Sequence, residues 1–232
     1  MISFDIERDL YNKNIIMIGV DEAGRGSWAG PLVSTACWFD FNKYKLLHSE
    51  INDSKKLKSS KRREIILSLD NFVKYSSSIA SVIEIDTYGL SYANAIAMKR
   101  SIFSLTQQLK KHLQPHKNNV FCIYVDGKFR PDFKNLDNFL KLSKLQLDNY
   151  SIEALVKGDS LCKTIALASI LSKETRDTLM KQWSKKYPSY LFDSNFGYGT
   201  KNHINAILEN GILDLHRKSF KPIATICSKN YQ

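Results

Sequence analysis

Three times along the chain a short apolar run gives way to an acidic residue. Ile15-Ile16-Met17-Ile18-Gly19-Val20 meets Asp21-Glu22, Val120-Phe121-Cys122-Ile123-Tyr124-Val125 meets Asp126-Gly127, and Ser151-Ile152-Glu153-Ala154-Leu155-Val156 leads through Lys157-Gly158 to Asp159. Runs of this length, bounded by turn residues, predict strands. Between them the spacing is helical. From Ser91 to Leu113, Ala95, Met98, Ile102, Leu105 and Leu109 repeat at three and four, and Pro115 stops the pattern. After Asp159 a second helix is expected through Ile165, Ala168, Leu171 and Leu179, apolar nearly all round before Ser172 and therefore largely buried. Beyond Pro188 a third starts at Thr200, its expected N-cap, and stops at Gly211. This alternation predicts an α/β fold, a mixed sheet flanked by helices with a helical C-terminal appendage, and ligands at the carboxyl ends of its parallel strands.

Two more strands are expected, Leu32–Phe39 and Tyr75–Val82, the first antiparallel to the opening strand and the second adjoining it. Between these two, Lys55, Lys56, Lys58, Lys61, Arg62 and Arg63 lead into a short helix with Ser59 or Ser60 as its cap. The basic run suits a solvated face and a phosphate contact equally well. Residues Lys128 to Asn149 are polar and basic, with weak helical spacing at Phe139, Leu142 and Leu145. Residues 1–186 read as one domain and 187–232 as an appendage packed on it.

Charge narrows the partners. Lys and Arg total 34 against 23 Asp and Glu, a formal charge of +11, which favours a polyanion such as nucleic acid. No apolar run approaches the ~18 residues that cross a bilayer. Asp5, Glu7 and Asp9 stand where a signal peptide carries positive charge, so membrane and secretory classes are excluded. Cys37, Cys122, Cys162 and Cys227 are far apart and form no C-x-x-C pair, which predicts free thiols in a reducing, cytoplasmic setting.

In an α/β sheet the acids Asp21, Glu22, Asp126 and Asp159 can converge on one edge. Crowded carboxylates repel unless a cation neutralises them, and hard oxygen ligands favour Mg²⁺ or Mn²⁺ over zinc. Two such ions at roughly 3.5–4 Å clamp a phosphodiester without any covalent nucleophile. Asp21 and Glu22 share an ion only if the strand ends there, because successive strand residues face opposite ways; Gly24 and Gly26 permit that turn. Taken singly, Asp126-Gly127 is also a common turn pair and Asp159 an ordinary helix cap. Gly24-Arg25-Gly26 can bring backbone N–H groups to a phosphate, and Tyr198, between Gly197 and Gly199, can stack on a sugar or base or simply cover the core edge. A basic binding module whose acids only shape turns is the alternative to a nuclease.

The combination Asp21-Glu22-Ala23-Gly24-Arg25-Gly26, Ala29-Gly30-Pro31 and Asp53-Ser54-Lys55-Lys56-Leu57 resembles the opening of a ribonuclease HII. Ala97-Met98-Lys99-Arg100, Val125-Asp126-Gly127, Lys157-Gly158-Asp159, Ala168-Ser169-Ile170 with Arg176-Asp177, Gly197-Tyr198-Gly199-Thr200 and His216-Arg217-Lys218-Ser219-Phe220 resemble its later motifs in order. Gly89 departs from the family's asparagine, and the stretch from Asp126 to Asp159 is longer than is usual there.

The resemblance implies a ribonuclease H-like fold on a five-stranded mixed sheet, with 1–186 as its catalytic domain. It implies an endonuclease that uses two Mg²⁺ or Mn²⁺ ions to cut the RNA strand of RNA–DNA hybrids and to incise 5′ to single ribonucleotides in duplex DNA, leaving 3′-hydroxyl and 5′-phosphate ends. Carried over by position, Asp21, Glu22, Asp126 and Asp159 hold the ions, Asp159 mainly the second. Gly24, Arg25 and Gly26 grip the ribonucleotide at its 2′-OH, and Tyr198 stacks on the following deoxyribose. Lys55, Lys56, Arg176, His216 and Arg217 match positions that contact or support the phosphate backbone. The resemblance further implies a monomer.

Overall fold

The computed structural model describes residues 2–113, 120–128 and 150–229. The expectations placed on Pro115 and on Phe139, Leu142 and Leu145 lie outside them. Strands β1 (Ile15–Ala23), β2 (Leu32–Phe39), β3 (Val73–Ala80), β4 (Val120–Asp126) and β5 (Tyr150–Leu155) form one sheet in the order β3-β2-β1-β4-β5. β2 runs antiparallel to β1 and β3, whereas β4 is parallel to β1 and to β5. The sheet is therefore mixed, and its parallel half carries the acids.

Both faces of the central strands are covered, which is why β1, β2 and β4 read as apolar runs instead of alternating ones. Besides α1 (Asp5–Asn12) and α2 (Ser59–Leu67), the crossover from β3 to β4 supplies α3 (Val82–Tyr88) and α4 (Leu90–His112). Met98, Ile102, Leu105 and Leu109 of α4 pack on Ile18, Val20, Phe121, Ile123 and Val125. After β5 come α5 (Gly158–Leu161), α6 (Lys163–Lys186), α7 (Phe192–Asn195), α8 (Lys201–Asn210) and α9 (Lys221–Lys229). Helix α6 covers the other face of the sheet, and Gly19 lets it approach closely. A Cβ on Gly19 would lie 2.6–2.8 Å from the backbone of Thr164 and Ile165, closer than any side chain allows.

The first half of α6, Ala166 to Leu171, packs with Cys37, Phe39, Ile51, Ile65 and Val73. Its second half takes Met180 into a cluster with Ala29, Tyr190, Phe192, Ile207 and Ile223, so the C-terminal elements share a core with α6 and the loop after β1. Cys37, Cys122 and Cys162 are buried and all four cysteines are free.

Three boundaries differ from expectation for local reasons. β3 ends at Ala80 because Ser81 caps α3: its hydroxyl accepts from the Glu84 N–H while the Glu84 carboxylate accepts from the Ser81 N–H. Helix α2 starts at Ser59 behind Lys58, with no side-chain cap; the Ser59 hydroxyl turns to Glu174 instead. The helix expected after Asp159 is broken at Cys162, whose backbone is extended. There the Glu7 carboxylate, reaching from α1, accepts from the N–H and hydroxyl of Thr164 at 3.0 Å each and so serves the new helix start. Thr200 does cap α8, accepting from the His203 N–H.

Candidate active site

The parallel pairing of β1 with β4 ends at Val20 and Val125, and the next residue on each strand is an aspartate. Asp21 and Asp126 thus stand side by side on adjacent strands, just past the end of that pairing. Asp159 arrives from β5 through a sharp turn in which Lys157 is left-handed (φ 59°) and the Gly158 N–H donates to Asp126 Oδ1 at 2.7 Å. One carboxylate oxygen from each of Asp21, Asp126 and Asp159 lies within 4.8 Å of the other two.

The environment makes this crowding costly. Asp21 is buried, and burial, then the charges of Glu22 and Asp126, raise its pKa well above the usual carboxylate value; bonds from Ser169 and from the Glu22 N–H act the other way. Asp159 is raised by burial and by the charges of Asp126 and Asp53. Lys55 faces the same acids: partial burial lowers its pKa, but Asp53, Asp159, Asp21 and Asp126 outweigh that and hold the ammonium above its usual value. A cluster of hard oxygen donors that repel one another fits a divalent cation of the Mg²⁺ or Mn²⁺ kind.

Glu22 is outside the group of three whose oxygens lie within 4.8 Å, although its charge acts on Asp21 more strongly than that of Asp126. β1 does not end at the acidic pair but runs to Ala23, because Asp21, Glu22 and Ala23 continue to pair with Thr35, Ser34 and Val33 of β2. Alternation along the strand therefore separates the two side chains. The Glu22 carboxylate lies 3.6 Å from the Arg25 guanidinium.

Gly24, with φ +91°, begins the loop between β1 and β2. Any Cβ there would strike the side chain of Arg176. Arg176 is fully buried and spends its donors on this loop and the next: Nε on Pro31 O, Nη2 on Ser27 Oγ and Ala29 O, and Nη1 on Phe196 O, at 2.7–3.0 Å. Arg217, also buried, gives Nε and Nη2 to Gly30 O and Nη1 to Arg25 O. His216 is buried against His203. These three side chains are supports, not phosphate contacts, because burial and hydrogen bonding leave them no free surface.

Tyr198 is half-buried, with the Arg176 guanidinium 5.5 Å and the Lys173 ammonium 5.8 Å from its ring. Its loop is joined to the β1–β2 loop. The N–H groups of Trp28 and Ala29 donate to Gly197 O at 2.8 and 3.1 Å, and the Trp28 ring covers Gly199 so closely that a Cβ there would come within 2.3 Å.

The basic run before α2 divides. Arg62 pairs with Asp177 at 2.8 Å, Arg63 with Glu174 at 2.7 Å, and Lys61 with Glu50 and Glu64, whereas Lys55 and Lys56 are exposed and Lys55 faces the acids. Two further contributors have weak signals in the sequence. Ser169, held by Ser54 at 2.8 Å, supports Asp21 and is marked only as a polar position on an apolar helix. Trp28 is marked only as a large ring in a glycine-rich loop. A cavity of about 790 Å³ opens at the other end of β1, between Tyr11, Trp38 and Phe41, and holds none of the clustered acids.

The chain is similar to known proteins over most of its length. A family model described as Ribonuclease HII matches residues 18–223. The Ribonuclease HII of Ehrlichia ruminantium (strain Welgevonden) is 35% identical over 230 residues, 97% of each chain. Among solved structures, ribonuclease H2 from Pyrococcus horikoshii OT3 superposes with a TM-score of 0.72 at 24% identity, covering 94% of this chain and all of that one. Bst-RNase HIII in complex with Mn²⁺ gives 0.68 at 18% identity over 93% of this chain and 70% of that one. At those identities the two structures show the fold.

Proposed function

The chain belongs to the ribonuclease HII family and is a metal-dependent ribonuclease H; from that premise we propose that it incises duplex DNA on the 5′ side of single embedded ribonucleotides as well as cutting the RNA strand of RNA–DNA hybrids. The observation that carries the finer reading is the junction of three parts. The acids, the glycine loop and Tyr198 meet at one edge, and Arg176 fixes the spacing between the glycine and Tyr198 loops.

In this reading Asp21, Glu22, Asp126 and Asp159 would hold the divalent ions, Asp159 mainly the second. When bound, such ions neutralise the phosphodiester and lower the pKa of an attacking water. The remaining work belongs to the chain. The Gly158 N–H occupies one oxygen of Asp126 and aims the carboxylate. Backbone groups of Gly24, Arg25 and Gly26, with no bulk in the way at Gly26, meet the ribose 2′-OH and adjoining phosphates, the feature that separates RNA from DNA. Tyr198 covers the deoxyribose that follows, and exposed Lys55 and Lys56 attract the backbone. Hydrolysis on that side leaves a 3′-hydroxyl and a 5′-phosphate. We assign this work to a monomer in the cytoplasm, where four free thiols remain reduced.

The test is cleavage of a labelled DNA duplex carrying one ribonucleotide, beside an all-DNA control, with Mg²⁺, Mn²⁺ or EDTA. Metal-dependent incision 5′ to the ribonucleotide is expected. Binding without incision under any metal overturns the reading in favour of a binding module, and incision of continuous hybrid alone removes the role given to Tyr198.

A further inference from the structure

His203 and His216 touch none of the acids; both are fully buried behind the loop that carries Tyr198. Their hydrogen bonds favour one placement of protons. His216 Nδ1 is 2.8 Å from the Leu213 N–H and 3.2 Å from the Leu213 carbonyl oxygen; the nearer group, a peptide N–H, only donates, so Nδ1 carries no proton. The proton of a neutral His216 is then on Nε2, 3.1 Å from His203 Nε2. That nitrogen must accept, which leaves the His203 proton on Nδ1, 2.9 Å from the carbonyl oxygen of Tyr198. Burial, and for His216 also the neighbouring His203, keep both imidazoles below their usual pKa and hence neutral. The rings of Tyr190 and Phe192 pack against His216, and those of Phe192 and Trp28 against His203.

Tyr198 needs such a restraint. Gly197 and Gly199 on either side are required by close packing, since a Cβ would strike Ala29 O or the Trp28 ring, but they leave the peptide between them little intrinsic stiffness. The Tyr198 carbonyl takes a second donor, the Thr200 N–H at 2.8 Å, so turning that peptide breaks two bonds.

We propose that His203 and His216 are positioning residues for ribonucleotide recognition: their directed relay from Leu213 to the Tyr198 carbonyl orients the Tyr198 ring toward the nucleic-acid strand. The proposal rests on the role given to Tyr198 above. Misplacement of a positioning group by about 1 Å costs on the order of a hundredfold, so the relay is expected to matter chiefly for the substrate that Tyr198 reads.

The experiment compares kcat/KM on a duplex with one ribonucleotide and on a continuous hybrid for H203F, H203Q, Y198A and the double variant Y198A/H203F, with melting temperatures for each. H203F, which keeps a ring but loses the donor, should lose about ten- to a hundredfold on the single ribonucleotide and less than about threefold on the hybrid. H203Q, which keeps an N–H, should recover part of the loss. The double variant should be no worse than Y198A alone. Losses that multiply in the double variant, or that are equal on both substrates, overturn the relay. If H203F does not fold, H216Q carries the same comparison. A selective loss in Y198A with an unselective one in the histidine variants sinks the relay alone; an unselective Y198A removes the reading of Tyr198 beneath it.

Discussion

The Gly158 N–H donates to Oδ1 of Asp126 at 2.7 Å, which ties the end of β4 to the turn that carries Asp159. Two acids distant in sequence are thereby set in mutual register by a backbone group. One oxygen of Asp126 is thereby held by the protein, on the side of the turn that carries Asp159.

Replacing Asp21 or Asp126 by asparagine keeps the shape, and in Asp126→Asn keeps an oxygen to accept from Gly158. Turnover should fall by at least about 10²–10³, the size of losing one preorganised electrostatic group, while affinity for hybrid is largely retained. Undiminished turnover in both variants, measured under saturating Mg²⁺, contradicts the assignment of the acids.

The same crowding affects stability. The raised pKa of Asp21 means that the unfolded chain ionises first as pH rises, so the folded state loses stability above the ordinary carboxylate range. Metal-free Asp21→Asn should melt a few degrees above the parent at neutral pH. Mg²⁺ or Mn²⁺ should raise the parent's melting temperature and affect the variant little; differential scanning calorimetry with EDTA and with metal decides it.

Loss of the Tyr198 ring removes a stacking contact of about 1–3 kcal/mol, so Tyr198→Ala should lower kcat/KM on a single embedded ribonucleotide by roughly ten- to a hundredfold. Affinity for plain duplex DNA should change less than about threefold on the same scale. Equal activity of variant and parent on that substrate would leave Tyr198 a structural residue.

Arg176 and Lys56 should separate support from contact. Arg176→Gln leaves several buried carbonyls without donors and should cost about 3 kcal/mol or more in urea unfolding. Lys56→Ala should change stability by no more than about 0.5 kcal/mol while lowering the salt dependence of nucleic-acid binding by about one phosphate. The opposite pattern reverses the two roles.

Burial and the adjacent His203 hold His216 down to about 4. The unfolded chain takes up this proton near the ordinary imidazole value of about 6.5, so stability present above that pH is lost progressively as pH falls toward 4. By pH 5 the loss should approach about 2 kcal/mol relative to pH 7, and His216→Phe should flatten that slope. An unchanged slope in the variant would place the pH dependence elsewhere.

Much of this molecule is visible in periodicity. The apolar runs of β1, β2 and β4 and the three-four spacing of α4 mark buried strands and a helix without reference to partners, and the acids that end those strands mark the edge where chemistry collects. What a linear pattern cannot express is which polar donors point inward. Arg176, Arg217 and His216 read in the sequence as phosphate contacts or as supports alike, yet all three are buried, the arginines among carbonyls from loops as far as 192 residues away and His216 against His203 and Leu213. The break at Cys162 was hidden for a similar reason, since the helix start at Thr164 depends on Glu7 from the other end of the chain. Glu22 shows the limit of a motif. Adjacency in sequence marks it as a partner of Asp21, whose pKa its charge raises, but not its continued pairing with β2 or its approach to Arg25.

Arg176 and Arg217 lie behind the backbone of residues 25–31 and give all their hydrogen bonds to neutral oxygens. A carbonyl satisfies a donor without cancelling its charge, and neither guanidinium forms an ion pair among the described residues. Burial and its neighbour Arg176 bring Arg217 down only to about 9, so it remains cationic at neutral pH. The positive potential of the pair therefore emerges through the outer surface of the glycine loop, where, in the function proposed above, a phosphate of the nucleic-acid strand would be its counterion.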